Sequence, residues 1–309
     1  GLPQFRGTGA LPEGSLSAEV DVRLGGGELR ITRASGQVGT GTVDLSGRLP
    51  LEGLGFGRGT ATITARNLKL PVGDGIDVIA DADLSARIAR TGSEELPEIT
   101  GQVKLKNFNY TRPVSLSIDL GALSRNIGRA EADATDPKDD WVRFDVAVLS
   151  DAPLRVQNDL AELKLEVMAP GLQLAGTNQR YGAKGSLRLL SDSKIRLRNH
   201  EFEVQEGYVR FDDPAKIEAN IDVRAETELR RHASTGDGAD AASATGGNWS
   251  IGVRAHGTTE DLKLDLWSDP AMDQDDIVLL LTVGMTRAEM DRSLATSLGG
   301  TVGLEALGA

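Results

Sequence analysis

The chain contains no cysteine, which excludes a disulfide framework and any thiolate nucleophile or ligand, although it leaves the compartment open. Aromatic residues are scarce, with three Trp, three Tyr and six Phe in 309 residues. Large rings supply much of the burial in an ordinary core, so the apolar surface here has to be built from Val, Leu, Ile and Ala. Basic residues are outnumbered, 34 Lys and Arg against 46 Asp and Glu, giving a formal net charge of −12. That balance argues against a nucleic-acid partner held through its phosphates. It argues equally against docking on an anionic membrane by charge alone. No stretch approaches the roughly 18 uninterrupted apolar residues of a membrane span. The opening GLPQFRGTGALPEG has no basic start, no apolar signal core and no initiator Met. The chain therefore reads as a piece of something longer, with any export signal or anchor outside it.

Chemistry-bearing constellations are missing as well. His200, His232 and His256 are far apart and sit in no metal-ligand spacing. DATDPKDD is acidic, but lacks the alternating ligands, turn Gly and distal Glu of a calcium loop. GLGFGRG has closely spaced glycines with no helix after it to receive a phosphate, so it reads as a kink at a strand edge. There is no nucleophile elbow and no P-loop. No catalytic residue, metal or cofactor is expected, and nothing points to an enzyme.

What the chain has in abundance is strict apolar–polar alternation, the pattern of a strand with one greasy and one wet face. DVIADADLSARI places Val78, Ala80, Ala82, Leu84, Ala86 and Ile88 on one side, with Asp81, Asp83, Ser85 and Arg87 on the other. It is about twice the mean strand length of five or six residues. AEVDVRL repeats the pattern with Val20, Val22 and Leu24, and GQVKLKN with Val103 and Leu105. VSLSIDL gives Val114, Leu116, Ile118 and Leu120, and VRFDVAV gives Val142, Phe144, Val146 and Val148. LKLEV gives Leu163, Leu165 and Val167, and GSLRLLS gives Leu187 and Leu189. KIEANIDVRA adds Ile217, Ile221 and Val223, WSIGVRA adds Ile251 and Val253, and LKLDL adds Leu262, Leu264 and Leu266.

Turn signals such as LGGG, LSG, VGDG, APG and QEG separate these runs. Strand plus turn at such spacing predicts an all-β array of about 20 strands or more, neighbours antiparallel because parallel crossovers need a dozen or more residues. GQVKLKN at Gly101 and GSLRLLS at Gly185 form a weak internal echo. A register slip is expected at Asn107–Phe108. Two polar, small-residue stretches, about 128–140 and 231–248, read as exposed loops within a β region covering 1–268. A helical cap is expected over 269–309. Its first helix spans about Asp273–Val283, and a second opens on a capping box of Thr286 and Glu289 and runs to about Leu298.

GSLRLLSDSKIRLRNHEFEVQEGYVRFDDPAKIEANIDVRAETEL resembles the diagnostic segment of the TamB family, members of the AsmA-like superfamily. WSIGVRAHGTTEDLKLDLWSDPAMDQDDIVLLLTVG continues the likeness through a valine-rich strand, a G-T turn, an SDP corner and a short apolar helix. DAPLRVQNDLAELKLEV resembles the strand pair that precedes them, so the likeness spans about Asp145 to Gly284. The family's last helix carries an aromatic-Gly-Arg ending where this chain has LTVGMTRAEM. The resemblance implies a long antiparallel sheet curled into an open trough, a β-taco with an apolar concave face lined by the alternate residues named above. It implies residence in the periplasm of a diderm bacterium, with an inner-membrane anchor elsewhere in the protein. It further implies phospholipids as cargo and a BamA- or TamA-like outer-membrane barrel protein as partner. Two activities are compatible with it: carrying acyl chains toward the outer membrane, and serving as a platform for barrel assembly by strand augmentation.

Alternation by itself also suits a closed sandwich or barrel. The length of the runs and the shortage of rings to fill an interior favour the open form. An exposed apolar face of that size needs an apolar occupant.

Overall fold

The computed structural model describes residues 8–11, 14–53, 55–70, 74–90, 94–112, 140–197, 200–230, 248–258, 261–288 and 290–291. Among those residues it contains eighteen strands and one ten-residue helix. The first strands are β1 (Thr8–Leu11), β2 (Gly14–Gly25), β3 (Glu28–Val38), β4 (Gly41–Glu52) and the two-residue β5 (Gly55–Phe56). Three long strands follow, β6 (Gly59–Leu70), β7 (Ile76–Ile88) and β8 (Glu98–Tyr110). Six shorter ones come next: β9 (Arg143–Ser150), β10 (Leu154–Gln157), β11 (Ala161–Val167), β12 (Leu172–Thr177), β13 (Tyr181–Leu189) and β14 (Lys194–Leu197). Long strands then return as β15 (His200–Phe211), β16 (Ala219–Arg230), β17 (Asn248–Thr258) and β18 (Leu262–Asp269), before α1 (Gln274–Val283).

The strands form one sheet in nearly sequential order. β1 to β4 are a meander, β6 pairs with β4, and β7 and β8 continue it. The short strands lie end to end in pairs. β9 and β10 run along β8, β12 and β11 run along those, and β13 and β14 form the next row. β15 spans both members of that row, and β16, β17 and β18 complete the sheet. Among the described residues β1 pairs only with β2 and β18 only with β17, so no pairing closes the sheet into a barrel. At about 4.8 Å per strand the sheet is roughly 60 Å across.

One expectation needs correcting. The sheet is mixed, because β9 and β10 run parallel to β8. The connection from Tyr110 to Arg143 is long enough for the crossover that parallel neighbours require. The expected strand at Val114, Leu116, Ile118 and Leu120 lies outside the described residues, as do most of the two expected loops. Asp140, at the end of the first loop, accepts from the Thr177 hydroxyl at 2.7 Å and from the Arg180 guanidinium at 2.8 Å.

Interruptions line up across the middle of the sheet. Arg66 and Asn67 are opposed by a single residue of β7, and Lys106 is an extra residue in β8. The breaks at 151–153, 168–171 and 190–193 fall in neighbouring rows, and Gln205 is a bulge in β15. The slip in β8 thus falls at Lys106, just before the Asn107–Phe108 expected from sequence. Bulges bend the strand that carries them. A file of them running across adjacent strands is a crease, dividing each strand into two arms.

Side chains satisfy the backbone groups that the crease takes out of the ladder. Asn67 N–H donates to Asp81 at 2.7 Å, the Ser150 hydroxyl donates to Leu105 O at 3.3 Å, and Lys164 N–H donates to Ser193 Oγ at 2.9 Å. The echo between Gly101 and Gly185 is structural too. Both lie mid-strand at φ near +135°, at 137° and 134°, where a β-carbon would press on a neighbouring strand's backbone.

α1 starts one residue after Asp273 and ends where Gly284 takes φ 80°, with Gly284 N–H donating to Leu280 O. Helical backbone resumes at Arg287, and Met290 N–H donates to Thr286 O at 3.0 Å, as a helix opening at Thr286 requires. Glu289, the other half of the expected capping box, is outside the described residues.

Candidate functional site: an apolar sheet face

Register, not sequence spacing, decides which side chains share a face. Leu45, Ile63, Leu84, Gly101, Val146, Leu174 and Ala183 stand opposite one another in turn from β4 to β13. The parallel file is Val43, Ala65, Ala82, Val103, Val148 and Leu172. Farther along, Val167, Leu187, Val209 and Ile221 form one file, and Val204, Ala225, Val253 and Leu266 another. The alternating residues of β7 therefore belong to one continuous apolar face.

Exposure grades along that face. At the C-terminal end Phe202, Ala225 and Ile251 are completely buried, and α1 adds Ile277, Leu280 and Leu281 to the same cluster. Leu154, Leu165, Leu187, Leu189, Val223 and Val253 belong to it too, with Leu105, Leu163, Val167, Ile221, Leu264 and Leu266 packed half-buried against it. Leu262 is half-buried at the start of β18. From β3 to β8 the aliphatics are mostly half-buried: Ile31, Leu45, Ile63, Leu84, Ala86, Ile88 and Val103. Val22 and Phe144 are also half-buried, and Val142, Val146 and Val148 are buried. At the crease Ala65, Val78 and Ala80 are 2–4% exposed.

Two residues stand apart. Leu24 is 67% exposed at the end of β2, beside the Gly25–Gly27 turn, and Ile217 is 52% exposed. Ile217 precedes β16, which begins at Ala219 after the Asp212–Glu218 turn. The side chain of Val20 is outside the described residues.

The opposite face is ionic. Arg33 donates to Asp44 at 3.1 Å, Arg66 to Asp83 at 2.7 Å, and Lys106 lies 2.9 Å from Asp81. Arg87–Glu98, Lys164–Asp192 and Arg188–Glu166 continue the pattern, and Arg254 pairs with Asp222 through two bonds of 2.8 and 2.9 Å. Asp44, Asp81, Asp192 and Asp222 are held below the usual carboxylate range by such contacts. At Asp44 the Ser35 hydroxyl is the main cause and Arg33 the next, and at Asp222 it is Arg254. The Glu201 carboxylate raises Lys194. Such exposed pairs contribute little stability singly. They do define a wet face across the sheet from the apolar one.

Among the described residues no group of His, Asp and Glu is placed to hold a metal. His256 Nε2 lies 3.0 Å from Asp265 on the ionic face. A cavity of about 260 Å³ lined by Lys69, Asp77, Asn107, Asn109 and Arg155 is also on that face, away from the apolar files. No helix among the described residues is long and apolar enough to cross a membrane.

Residues of the apolar face that sequence reading missed include Leu45, Ile63, Leu174, Phe202, Val204 and Val209. TATITA around Ile63 does alternate, but its partners are threonines and alanines. In HEFEVQEGYVRF the parity changes at Gln205, which conceals that Val204 and Val209 share a side.

No curated protein matches the chain. The model of the TamB C-terminal domain matches residues 31–309, nearly all of the sheet and the helical end, and the chain accordingly belongs to the TamB family.

Proposed function

We propose that this chain is part of a periplasmic lipid conduit, in which the apolar face is the concave wall of an open trough that carries phospholipid acyl chains from the inner to the outer membrane. Membership of the TamB family indicates an envelope protein with a role in outer-membrane assembly or lipid transport. The observation that carries the finer reading is the row of half-buried aliphatics from β3 to β8. Leu45, Ile63, Leu84 and Val103 lie on strands whose main contacts are their sheet neighbours. The deeper burial of Ala65, Val78 and Ala80 along the crease supports a face that is concave there.

Hydrocarbon suits such a wall. Each buried methylene contributes about 0.8 kcal/mol, so a dozen contribute on the order of 10 kcal/mol. A lining of Val, Leu, Ile and Ala that repeats from strand to strand offers no single preferred site. Moving one strand along exchanges like contacts for like, so a bound chain slides. Headgroups stay in water beyond the trough. α1, whose Ile277, Leu280 and Leu281 join the apolar cluster and which packs beside β18, caps the C-terminal end.

Photocrosslinkers at Leu84 and Val146 should capture phospholipid, and those at Asp83 and Ser85 on the ionic face should not. Native mass spectrometry of the purified chain should show co-purifying phospholipid. Equal labelling of both faces, or none, defeats the reading.

Assembly of barrel proteins by strand augmentation is the second reading, and the unpaired outer edge of β18 favours it. That edge is eight residues long and ends the sheet among the described residues. Its signature is a crosslink from Lys263 or Asp265 to a barrel strand, with no lipid captured.

A further inference from the structure

Two bulges flank β7 at one level. On β6, Arg66 and Asn67 together oppose Asp81, and on β8 the extra residue is Lys106. Both lean on one carboxylate. Asn67 N–H donates to Asp81 Oδ1 at 2.7 Å, and Lys106 Nζ lies 2.9 Å from the same oxygen. Arg66, in the first bulge, donates to the carbonyls of Ala65 and Ala82 and to Asp83. Asn67 takes φ 52°, the left-handed region that asparagine enters more readily than most non-glycine residues, which suits the bulge.

An ordinary cross-strand ion pair joins two side chains and contributes little. Asp81 differs because one of its partners is a backbone N–H that the ladder does not satisfy. Its side chain is 19% exposed, against 58% for Asp77 on the same strand and face. Directly beside it, on the other side of the sheet, Ala80 and Ala82 meet Leu68, Ala65, Leu105 and Val103, the apolar lining at the crease.

We propose that Asp81 is a positioning residue for the lipid trough: from the ionic face it pins the bulges of β6 and β8 together, which fixes the angle between the two arms of the sheet and so the width of the trough. This rests on the lipid reading above and adds to it what holds the walls apart. Asn67 is an exposed residue, so without the carboxylate water takes over its N–H and the sheet still forms. The bulge is then free to relax or slip, and the arms lose their fixed angle.

The cysteine-free chain allows a direct measurement. Spin labels on Asp74→Cys and Glu94→Cys, exposed positions beyond the two ends of β7, report the separation of the arms by pulsed dipolar spectroscopy. The parent should give one narrow distance, and Asp81→Ala a longer and broader distribution. Asp77→Ala, which removes an ordinary pair with Lys69, should leave the distance unchanged. If Asp81→Ala loses its strand signal in circular dichroism, Lys106→Gln and Asp81→Asn decide, and a shift in either supports the proposal. Unchanged distances in every folded Asp81 and Lys106 variant overturn it, whatever happens to melting temperature. Lipid capture at Leu84 separates the two ideas. Capture absent from the parent ends the lipid reading alone. Capture undiminished in a variant with shifted distances ends the claim that Asp81 sets a width that matters to lipid.

Discussion

Gly252 of β17 and Trp267 of β18 are register partners, and the indole occupies the space that a side chain at the glycine would take on the ionic face. A methyl group at Gly252 would overlap Cε2 and Cζ2 of the ring. The glycine of WSIGVRA and the tryptophan of LDLWSDP are thus a single packing unit next to the corner that leads into α1.

Gly252→Ala should therefore destabilise the C-terminal end by about 1–3 kcal/mol, the usual cost of overpacking. Urea unfolding with Trp fluorescence measures it. In a Trp267→Ala background the same substitution should cost much less, because the overlapping ring is gone. Equal costs in both backgrounds would show that the ring is not what the glycine accommodates.

Ser193 is fully buried in the break between β13 and β14. Its Oγ accepts from Lys164 N–H at 2.9 Å and donates to Lys164 O at 3.3 Å. Ser193→Ala removes both and leaves a backbone N–H of β11 unsatisfied, at a cost of about 1–3 kcal/mol. Ser191→Ala, two residues away and exposed, should change stability by less than about 0.5 kcal/mol. Chemical denaturation of the two variants side by side checks the difference.

Legibility from sequence followed local periodicity and stopped where periodicity broke. The run from Val78 to Ile88 carries no bulge of its own, and its alternate residues share the face that sequence assigned them. LKLDLWSD in β18 is equally regular. In β15 the extra residue at Gln205 changes parity, so Phe202 and Val204 fall on the same side as Val209 and Phe211. Strand direction was out of reach for a different reason: whether β9 returns antiparallel or parallel to β8 depends on the path of a long connection, which leaves no periodic trace. Ile217 shows a third limit. KIE extends the alternation of β16, yet the turn after Asp213 claims it, with Ala215 N–H donating to the Asp213 carboxylate at 2.8 Å.

Acid should loosen the start of β9. The Thr177 hydroxyl, and after it the Arg180 guanidinium, hold the Asp140 carboxyl below the usual carboxylate range. A depressed folded pKa means that the contribution is fully present above the ordinary aspartate value near 3.9. It is lost as pH falls from there through the lower folded value. Asp140→Asn should unfold more easily than the parent at neutral pH, and the gap should close on acidification through that window. Urea unfolding of both proteins between about pH 7 and about pH 2.5 tests this. A gap independent of pH would assign the effect to hydrogen bonding by the neutral side chain.

A charge placed on the apolar face should separate folding from lipid binding. Ile63 is half-buried between Leu45 and Leu84, so a longer polar side chain there reaches water without opening a sealed core. Ile63→Glu is expected to keep the circular dichroism of the parent. A carboxylate among acyl methylenes is costly, because burying it unpaired costs several kcal/mol. Phospholipid co-purifying with Ile63→Glu should accordingly fall well below that of the parent, whereas Thr62→Glu, one residue away on the ionic face, should carry the parent's amount. Phe202→Glu is the contrasting case: that ring is completely buried, so the same charge should unfold the C-terminal end outright. Lipid retained by Ile63→Glu at parental levels would place the cargo somewhere other than the file from Leu45 to Val146.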